Sequence, residues 1–162
     1  MSIPRLLNEY QNGPLLLRGT LSGMSSKDLD AAPIAGAWST RQVICHLADA
    51  ELLYADRFKR IIAEDNPPLR SMNPDLFVAR LACGERDLVV EVETIDVVRR
   101  HMSGILQALP ESAFQRTGVH SEDGPLTLQT LLERITRHIP HHARKIMEKR
   151  RALGLNIEIA GL

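Results

Sequence analysis

Residues 127–154 read TLQTLLERITRHIPHHARKIMEKRRALG, and this stretch decides the fold class. Its apolar residues recur every three or four positions, which is the spacing that places side chains on one face of an α-helix. Thr127 is of a residue type that caps helix N-termini, and Gly154 is typical of a helix end. The stretch therefore predicts a long amphipathic helix. Its predicted buried face comprises Leu128, Leu131, Leu132, Ile135, Ile139 and Ile146.

The same spacing occurs in three earlier segments of the chain. The first covers residues 3–24, either as one helix that kinks at Gly13-Pro14 or as two shorter helices. The second helix is predicted to begin after Ser39 and the third after Thr94, because both residues are suited to N-caps. Each of these two helices is predicted to end at the next proline of the chain, since proline cannot continue a helix.

The connections between these helices carry weaker signals. Residues 67–93 match no regular pattern beyond a short helix over 74–82 and an ambiguous apolar run at 88–90. Residues 111–125 are predicted to form a loop, and strand-like alternation is nearly absent from the chain. Four amphipathic helices cover their apolar faces most simply by packing against one another. The predicted fold class is therefore all-α, a four-helix bundle forming a single domain over residues 1–162.

Composition excludes several classes of function. The chain carries 20 basic and 20 acidic side chains, so its charge gives no reason to expect nucleic acid or an anionic membrane as a partner. No apolar run approaches the roughly 18 residues that cross a bilayer. The two cysteines are too few for a disulfide framework, Cys45 is interpreted as a small core residue, and no leader segment is visible, so a cytoplasmic location is expected. The apolar surplus of four helices favours a homodimer.

Three of the six histidines are predicted to face the interior of the bundle. His46 lies on the apolar face of the second helix. His138 and His142 are about one turn apart, and both continue the apolar face of the fourth helix. His141 has cationic neighbours three and four residues away, so we expect it to face solvent. Pro140, between the paired histidines, either distorts this helix or is tolerated within it.

A cluster of inward histidines indicates either a hydrogen-bonded core or a metal site. A buried imidazole without a partner is costly, whereas a neutral ring nitrogen directed at a divalent metal is satisfied. The spacing of His138 and His142 is that of the zinc proteases, although Ile139 stands where those enzymes have glutamate. No histidine has a glutamate three residues before it, which argues against a ferritin-like di-iron site. Three imidazoles would leave an open coordination position, as catalytic sites do.

An ordered set of motifs resembles the DinB/YfiT-like superfamily of metal-binding helical bundles. The motifs are WSTRQVICHLADAE at 38–51, RTGVHSEDGPLTL at 116–128 and HIPHHARKI at 138–146. The resemblance covers almost the whole chain except residues 67–93. It implies a four-helix bundle of up-up-down-down or related connectivity, often dimeric, with a divalent metal such as nickel or zinc. The family's ligands fall on the equivalents of His46, His138 and His142.

The resemblance also sets the expected chemistry. The superfamily is similar in fold to mycothiol- and bacillithiol-dependent transferases, and some members are described as metal-dependent hydrolases. We therefore expect a metal-dependent transferase that joins a low-molecular-weight thiol to a small-molecule substrate. A metal-dependent hydrolase is the first alternative, because a metal can favour ionisation of water as well as of a thiol. A non-enzymatic bundle that binds metal or a protein partner is the second.

Several other polar residues have open roles at this point. Asp49 either accepts the second N–H of a ligand imidazole or lies on a solvated face. Glu51 is interpreted as solvated or as a more distant support of the site, and hydrolysis therefore lacks an evident inward general base. Arg116 and His120 either border the mouth of the site or hold a loop. The basic residues of 144–151 are interpreted as a solvated helix surface.

Overall fold

The computed structural model describes residues 2–155, so Met1 and residues 156–162 of the predicted domain lie outside the described part. Four long helices dominate it, with two short helices, one 3-10 helix and a small sheet between them. The elements in chain order are α1 (Ile3–Leu21), α2 (Ser26–Asp30), α3 (Thr40–Ala63), β1 (Pro68–Leu69), α4 (Pro74–Arg80), α5 (Leu88–Gln107), a 3-10 helix (Glu111–Gln115), β2 (Thr117–His120), β3 (Gly124–Thr127) and α6 (Leu128–Ala152).

The long helices α1, α3, α5 and α6 form a four-helix bundle, which confirms the predicted fold. Both α1 and α3 pack beside α5 and α6. Arg150 near the end of α6 donates to carbonyls at the end of α1, so these two helices are parallel. Arg116, just before α6, donates to the Ile61 carbonyl near the end of α3, and Arg18 near the end of α1 pairs with Asp96 in the first half of α5. The directions are therefore up, down, down, up, a connectivity related to the up-up-down-down order that the resemblance implied but different from it.

Three of the four bundle helices, α3, α5 and α6, begin where a local side chain accepts a hydrogen bond from an amide of the first turn. Ser39 accepts from the Gln42 amide while the Gln42 side chain accepts from the Ser39 amide, which completes the predicted capping box. Thr127 accepts from the Thr130 amide at the start of α6. The segment containing Pro14 is one helix, so the two-helix alternative is wrong.

The predicted start of α5 is wrong. Its N-cap is Asp87, whose carboxylate accepts from the Val89 amide at 2.9 Å. The ambiguous apolar run is therefore the first turn of the helix. Thr94 lies inside the helix, where its hydroxyl donates to the Val90 carbonyl at 2.8 Å. A threonine can satisfy its hydroxyl in this way without ending a helix, so its cap-like character was misleading.

A small sheet occupies part of the segment predicted to be a loop. β1 pairs parallel to β2, and β2 pairs antiparallel to β3. Gly124 has φ +73° and supplies the turn. A Cβ at Gly118 would come within 2.9 Å of the Leu69 side chain, so only glycine fits between β2 and β1. Strands of two to four residues are too short to show the alternation of apolar and polar residues from which a strand is predicted.

A buried arginine joins all four long helices. Arg99 of α5 donates to the Glu51 carboxylate of α3 at 2.8 and 2.6 Å, to the Tyr10 carbonyl of α1 at 2.7 Å and to the Ile135 carbonyl of α6 at 2.8 Å. Apolar clusters lie on both sides of this polar layer. The solvated position predicted for Glu51 is wrong, because this side chain is fully buried. Arginine supplies enough donors to satisfy three acceptors on three helices at once.

The end of α6 also differs from the prediction. Lys149 and Arg150 belong to the basic stretch that was interpreted as solvated, yet both are buried. The helix continues through Pro140 without a break, so this proline is tolerated. Within residues 2–155, no helix has the length and apolar character that a membrane span requires.

Candidate metal centre

Two antiparallel helices bring three histidine side chains together. His46 comes from the second turn of α3, and His138 and His142 come from successive turns of α6. One nitrogen from each ring lies within 4.8 Å of the others, and Nε2 of His46 is 3.0 Å from Nε2 of His138. The ring centroids are 4.7 to 5.0 Å apart. The structure thus assembles all three histidines that helical spacing selected.

Burial keeps these imidazoles uncharged. Burial, with a smaller contribution from the neighbouring histidines, lowers the pKa of His142 to about 2 and that of His138 to about 3. Burial also lowers the pKa of His46, although nearby carboxylates partly oppose this effect. Each ring therefore offers a free lone pair near neutral pH.

The donor set fits a divalent cation. Within residues 2–155, the Nδ1 atoms of all three rings are buried and have no hydrogen-bond partner. Buried polar atoms are normally paired, so three orphaned atoms in one cluster need an explanation. Three neutral nitrogen donors on neighbouring helix turns are ligands typical of zinc or nickel. Within the described part of the chain, no carboxylate accepts a hydrogen bond from either ring nitrogen of these histidines.

Asp49 does not contact the cluster. Its carboxylate accepts two hydrogen bonds from Arg86, at 3.0 and 2.9 Å, and Arg86 also pairs with Glu91 in the first turn of α5. Asp49 as a residue is only 8% exposed, so the solvated alternative is wrong as well. Its role is to fasten the start of α5 to α3. The partner, Arg86, lies in the segment 67–93, which matched no motif, so little in the sequence indicated this pair.

Two cavities reach the cluster, and His46 lines both. The larger has a volume of about 430 Å³ and is also lined by His142 and by the Trp38 ring, whose centroid is 5.1 Å from that of His46. The smaller has a volume of about 250 Å³ and is also lined by His138 and Tyr54. Cavities of a few hundred Å³ are of the size that small molecules occupy.

His120 and Arg116 have distinct positions. His120 borders the smaller cavity, and its Nδ1 accepts from the backbone amides of Glu122 and Asp123 at 3.4 and 3.3 Å. It therefore both borders the site and holds the turn between β2 and β3. Arg116 lines neither of the two cavities, and its guanidinium donates to carbonyls at the end of α3. Its role is to hold the loop.

The remaining predicted residues lie as expected. His141 is exposed on α6. Cys45 is a core residue whose thiol donates to the Cys83 carbonyl at 3.8 Å, and burial raises the pKa of this thiol to about 12. Lys149 also lines the larger cavity, although its charge gave no indication of this in the sequence. Its position seven residues after His142 is the signal that was available, because this spacing continues the inward face of α6.

Comparisons with known proteins agree with this fold. Residues 10–146 match the family model described as DinB superfamily. A protein of Oceanobacillus iheyensis named "Putative metal-dependent hydrolase" is 27% identical over 136 residues, which cover 84% of this chain and 78% of the relative. A Bacillus licheniformis protein with the same description is 23% identical over 155 residues, covering 95% of this chain and 88% of the relative.

A solved structure has the same architecture. It is YfiT from Bacillus subtilis, described as a probable metal-dependent hydrolase with an unusual four-helix bundle topology. The two structures match with a TM-score of 0.90 at 23% sequence identity, covering 96% of this chain and 91% of YfiT. The fold shared with YfiT agrees with the family match. The chain belongs to the DinB superfamily, because the model of that family matches most of its length.

Proposed function

We propose that this protein is a metal-dependent enzyme in which His46, His138 and His142 hold a divalent cation, nickel or zinc. The support is their convergence as three uncharged rings, two buried and one half-buried, whose Nδ1 atoms have no hydrogen-bond partner among the described residues. A cation held by three neutral ligands keeps its full charge and lowers the pKa of a water molecule or thiol that joins it. The names of the relatives agree with metal dependence.

The reaction we propose is transfer of a low-molecular-weight thiol to an electrophilic carbon of a small molecule. One observation carries this choice: two separate cavities meet at His46. A thiol and an electrophile can approach the same point from different sides, whereas hydrolysis needs only one organic reactant. The sulfur loses its proton to solvent and forms the new bond to carbon, and the leaving group departs with its bonding electron pair.

The lining residues divide the work of binding. In the larger cavity, the Trp38 ring offers an apolar surface beside His46. In the smaller cavity, Tyr54 and Arg57 line the approach to His138, and Arg57 lies over the Tyr54 ring at 5.0 Å. This contact fixes the tyrosine as a wall for the second reactant. Orientation of two reactants at one point accounts for much of the rate gain in such reactions.

A metal-dependent hydrolase is the second candidate, favoured by Asp75. This exposed carboxylate lines the larger cavity with His46 and His142, and it is close enough to His46 to oppose the lowering of that pKa. Within the described residues it has no cationic partner. It can therefore accept a proton from an attacking water molecule. The same word, hydrolase, stands in the names of both relatives.

The test compares the two reactions on the same metal-loaded protein. Glutathione, bacillithiol and mycothiol are each offered with 1-chloro-2,4-dinitrobenzene, and p-nitrophenyl acetate is offered without thiol. We expect metal-dependent consumption of thiol by the wild type and by the His141→Ala control, and none by His142→Ala. Ester cleavage that depends on metal and on Asp75, with no thiol reaction, would establish the hydrolase instead. The absence of both reactions would indicate a non-enzymatic bundle.

A further inference from the structure

Lys149 is a buried cation inside the larger cavity. It lies near the end of α6, it is 3% exposed, and it lines the cavity together with His46 and His142. Lysine is rarely this buried unless it has a partner. Its position is therefore costly unless something else compensates the charge.

Within residues 2–155 no protein group pairs with this charge, and the ammonium nitrogen is not among the fully buried atoms without a partner, so it faces the cavity. Among these residues, no carboxylate forms an ion pair with Lys149, and no side-chain hydrogen bond joins its ammonium group to the protein. The adjacent Arg150 is also buried, but its guanidinium donates to the carbonyls of Thr20 and Ser22 at 3.1 and 3.0 Å. Two neighbouring buried cations thus differ: Arg150 serves the fold, and Lys149 has no partner among the described residues.

The charges around the cavity indicate what would pair with Lys149. Lys145 is one turn earlier on α6 and lines the same cavity, and Asp75 is the carboxylate on its wall. These three ionised side chains leave one net positive charge. Together with the cation that the histidines would hold, this excess of positive charge suits an anionic group such as a carboxylate. Burial and the charge of Lys145 lower the pKa of Lys149, so an anion that neutralises the pair would relieve both effects.

We propose that Lys149, assisted by Lys145, binds a carboxylate group of the reactant that occupies the larger cavity. This inference rests on the proposed function, because it names the substrate class for the same site. The carboxylate anchors one end of the molecule at the lysines, and the reacting end then faces His46 and His142. The reactant is accordingly a small carboxylic acid, whether it is the thiol or the electrophile.

Trp38 allows binding to be measured without turnover. It is the only tryptophan of the chain, and it lines the same cavity. The quenching of its fluorescence is followed with 3-mercaptopropionate and its amide, and with succinate and succinamide. In the first pair the acid is also a thiol, and in the second pair neither compound contains a thiol. The wild type is expected to bind each acid at least about tenfold more tightly than its amide, because a hydrogen bond to a charged group is stronger than one to a neutral group.

The variants are Lys149→Met and, as a matched control, Lys59→Met on the exposed surface of α3. Methionine has a similar length and no charge, so the fold should survive, and far-UV circular dichroism and metal content verify this. Lys149→Met is expected to abolish the preference for acids, and Lys59→Met to keep it. Equal binding of acids and amides by the wild type, or a preference that survives Lys149→Met, overturns the proposal.

The outcome is separable from that of the proposed function. A lysine-dependent preference for acids in a protein that catalyses neither reaction would remove the enzyme assignment and support the carboxylate site. Metal-dependent thiol transfer without any preference for acids would overturn the carboxylate site and leave the enzyme assignment intact. A stronger preference with the thiol acid than with succinate would place the carboxylate on the thiol reactant.

Discussion

The guanidinium of Arg99 donates a hydrogen bond of 2.7 Å to the backbone carbonyl of Tyr10. In an uninterrupted helix this carbonyl would accept from the amide of residue 14, but Pro14 has no amide hydrogen. The arginine of α5 therefore replaces the missing donor of α1. The residue that weakens one helix internally thereby creates the acceptor that joins it to another.

We predict that Gly13→Ala destabilises the protein. A Cβ at this position would lie 3.1 Å from Cζ of Arg99, closer still to the nearest guanidinium nitrogen, and 3.3 Å from Ile139. The guanidinium is fixed by hydrogen bonds to three helices and has no room to move. The expected loss is about 1–3 kcal/mol in the free energy of unfolding, measured in urea.

Gly104→Ala is the control for that change. Gly104 lies in α5, and nothing is within 4 Å of a Cβ placed there. Alanine is the better helix former, so this variant should gain about 0.5–1 kcal/mol. Similar effects of the two substitutions would contradict the close approach of Arg99 to Gly13.

The buried pair of Arg99 and Glu51 should show strong coupling. Burial raises the pKa of Glu51, whereas the neighbouring guanidinium lowers it, so removing Arg99 leaves a carboxyl that must take up a proton or stay unpaired. Arg99→Met and Glu51→Leu are each expected to cost about 3–5 kcal/mol, and the double variant less than their sum. Urea unfolding of all four proteins measures this. An additive result would mean that the pair is not coupled.

Metal content should depend on the clustered histidines alone. His46→Ala and His142→Ala each remove one of three donors, so both variants are expected to lose stoichiometric metal. His141→Ala removes an exposed imidazole of the same helix and should retain it. Elemental analysis of the purified proteins gives the answer. Full retention of metal by His46→Ala and His142→Ala would exclude this centre.

The stability effect of Lys149 should depend on pH. Burial lowers its pKa below the ordinary 10.5. Between the lowered value and 10.5 the unfolded chain binds more protons, so the stability of the wild type rises with pH in that window. Lys149→Met lacks this term. Its advantage over the wild type should be greatest near neutral pH and shrink as the pH approaches 10.5, as urea titrations at several pH values would show; a constant difference would contradict it.

Both cysteines should be unreactive in the native protein. Cys45 and Cys83 are buried, and burial raises the pKa of Cys45 to about 12, so little reactive thiolate is present. We expect Ellman's reagent to label neither residue rapidly until denaturant is added, and then to label both. Rapid labelling of one thiol in the native state would show that this part of the core opens. The same measurement shows whether the protein's own thiols contribute to the assays of thiol consumption.

Helical periodicity predicted the parts of the fold in which one face of a long element is buried. The spacing of His138 and His142 on the apolar face of α6, and of His46 on that of α3, was enough to predict their convergence. The metal role of these residues stays a prediction. Periodicity succeeds here because a helix fixes the direction of a side chain without knowledge of its neighbours.

The failures arose where the partner of a residue is distant in sequence. Glu51 was interpreted as solvated or as a distant support of the site because its charge outweighed its position, and Arg99, which satisfies it, is 48 residues away. Lys149 follows the inward spacing of α6, yet its charge again favoured a solvated interpretation. A charged residue on an apolar helix face therefore indicates a buried partner or a ligand. The helical spacing should decide whether such a residue is predicted to be buried, before its charge is considered.

The three imidazoles belong to two antiparallel helices, α3 and α6. His46 and His138 are 92 residues apart in the sequence. Their proximity exists only while α3 and α6 are correctly seated against each other. A loosened state that retains its helices would still give a helical spectrum but would release a bound ion. Ion retention is thus a gauge of tertiary order, and it should disappear earlier than helicity during mild denaturation.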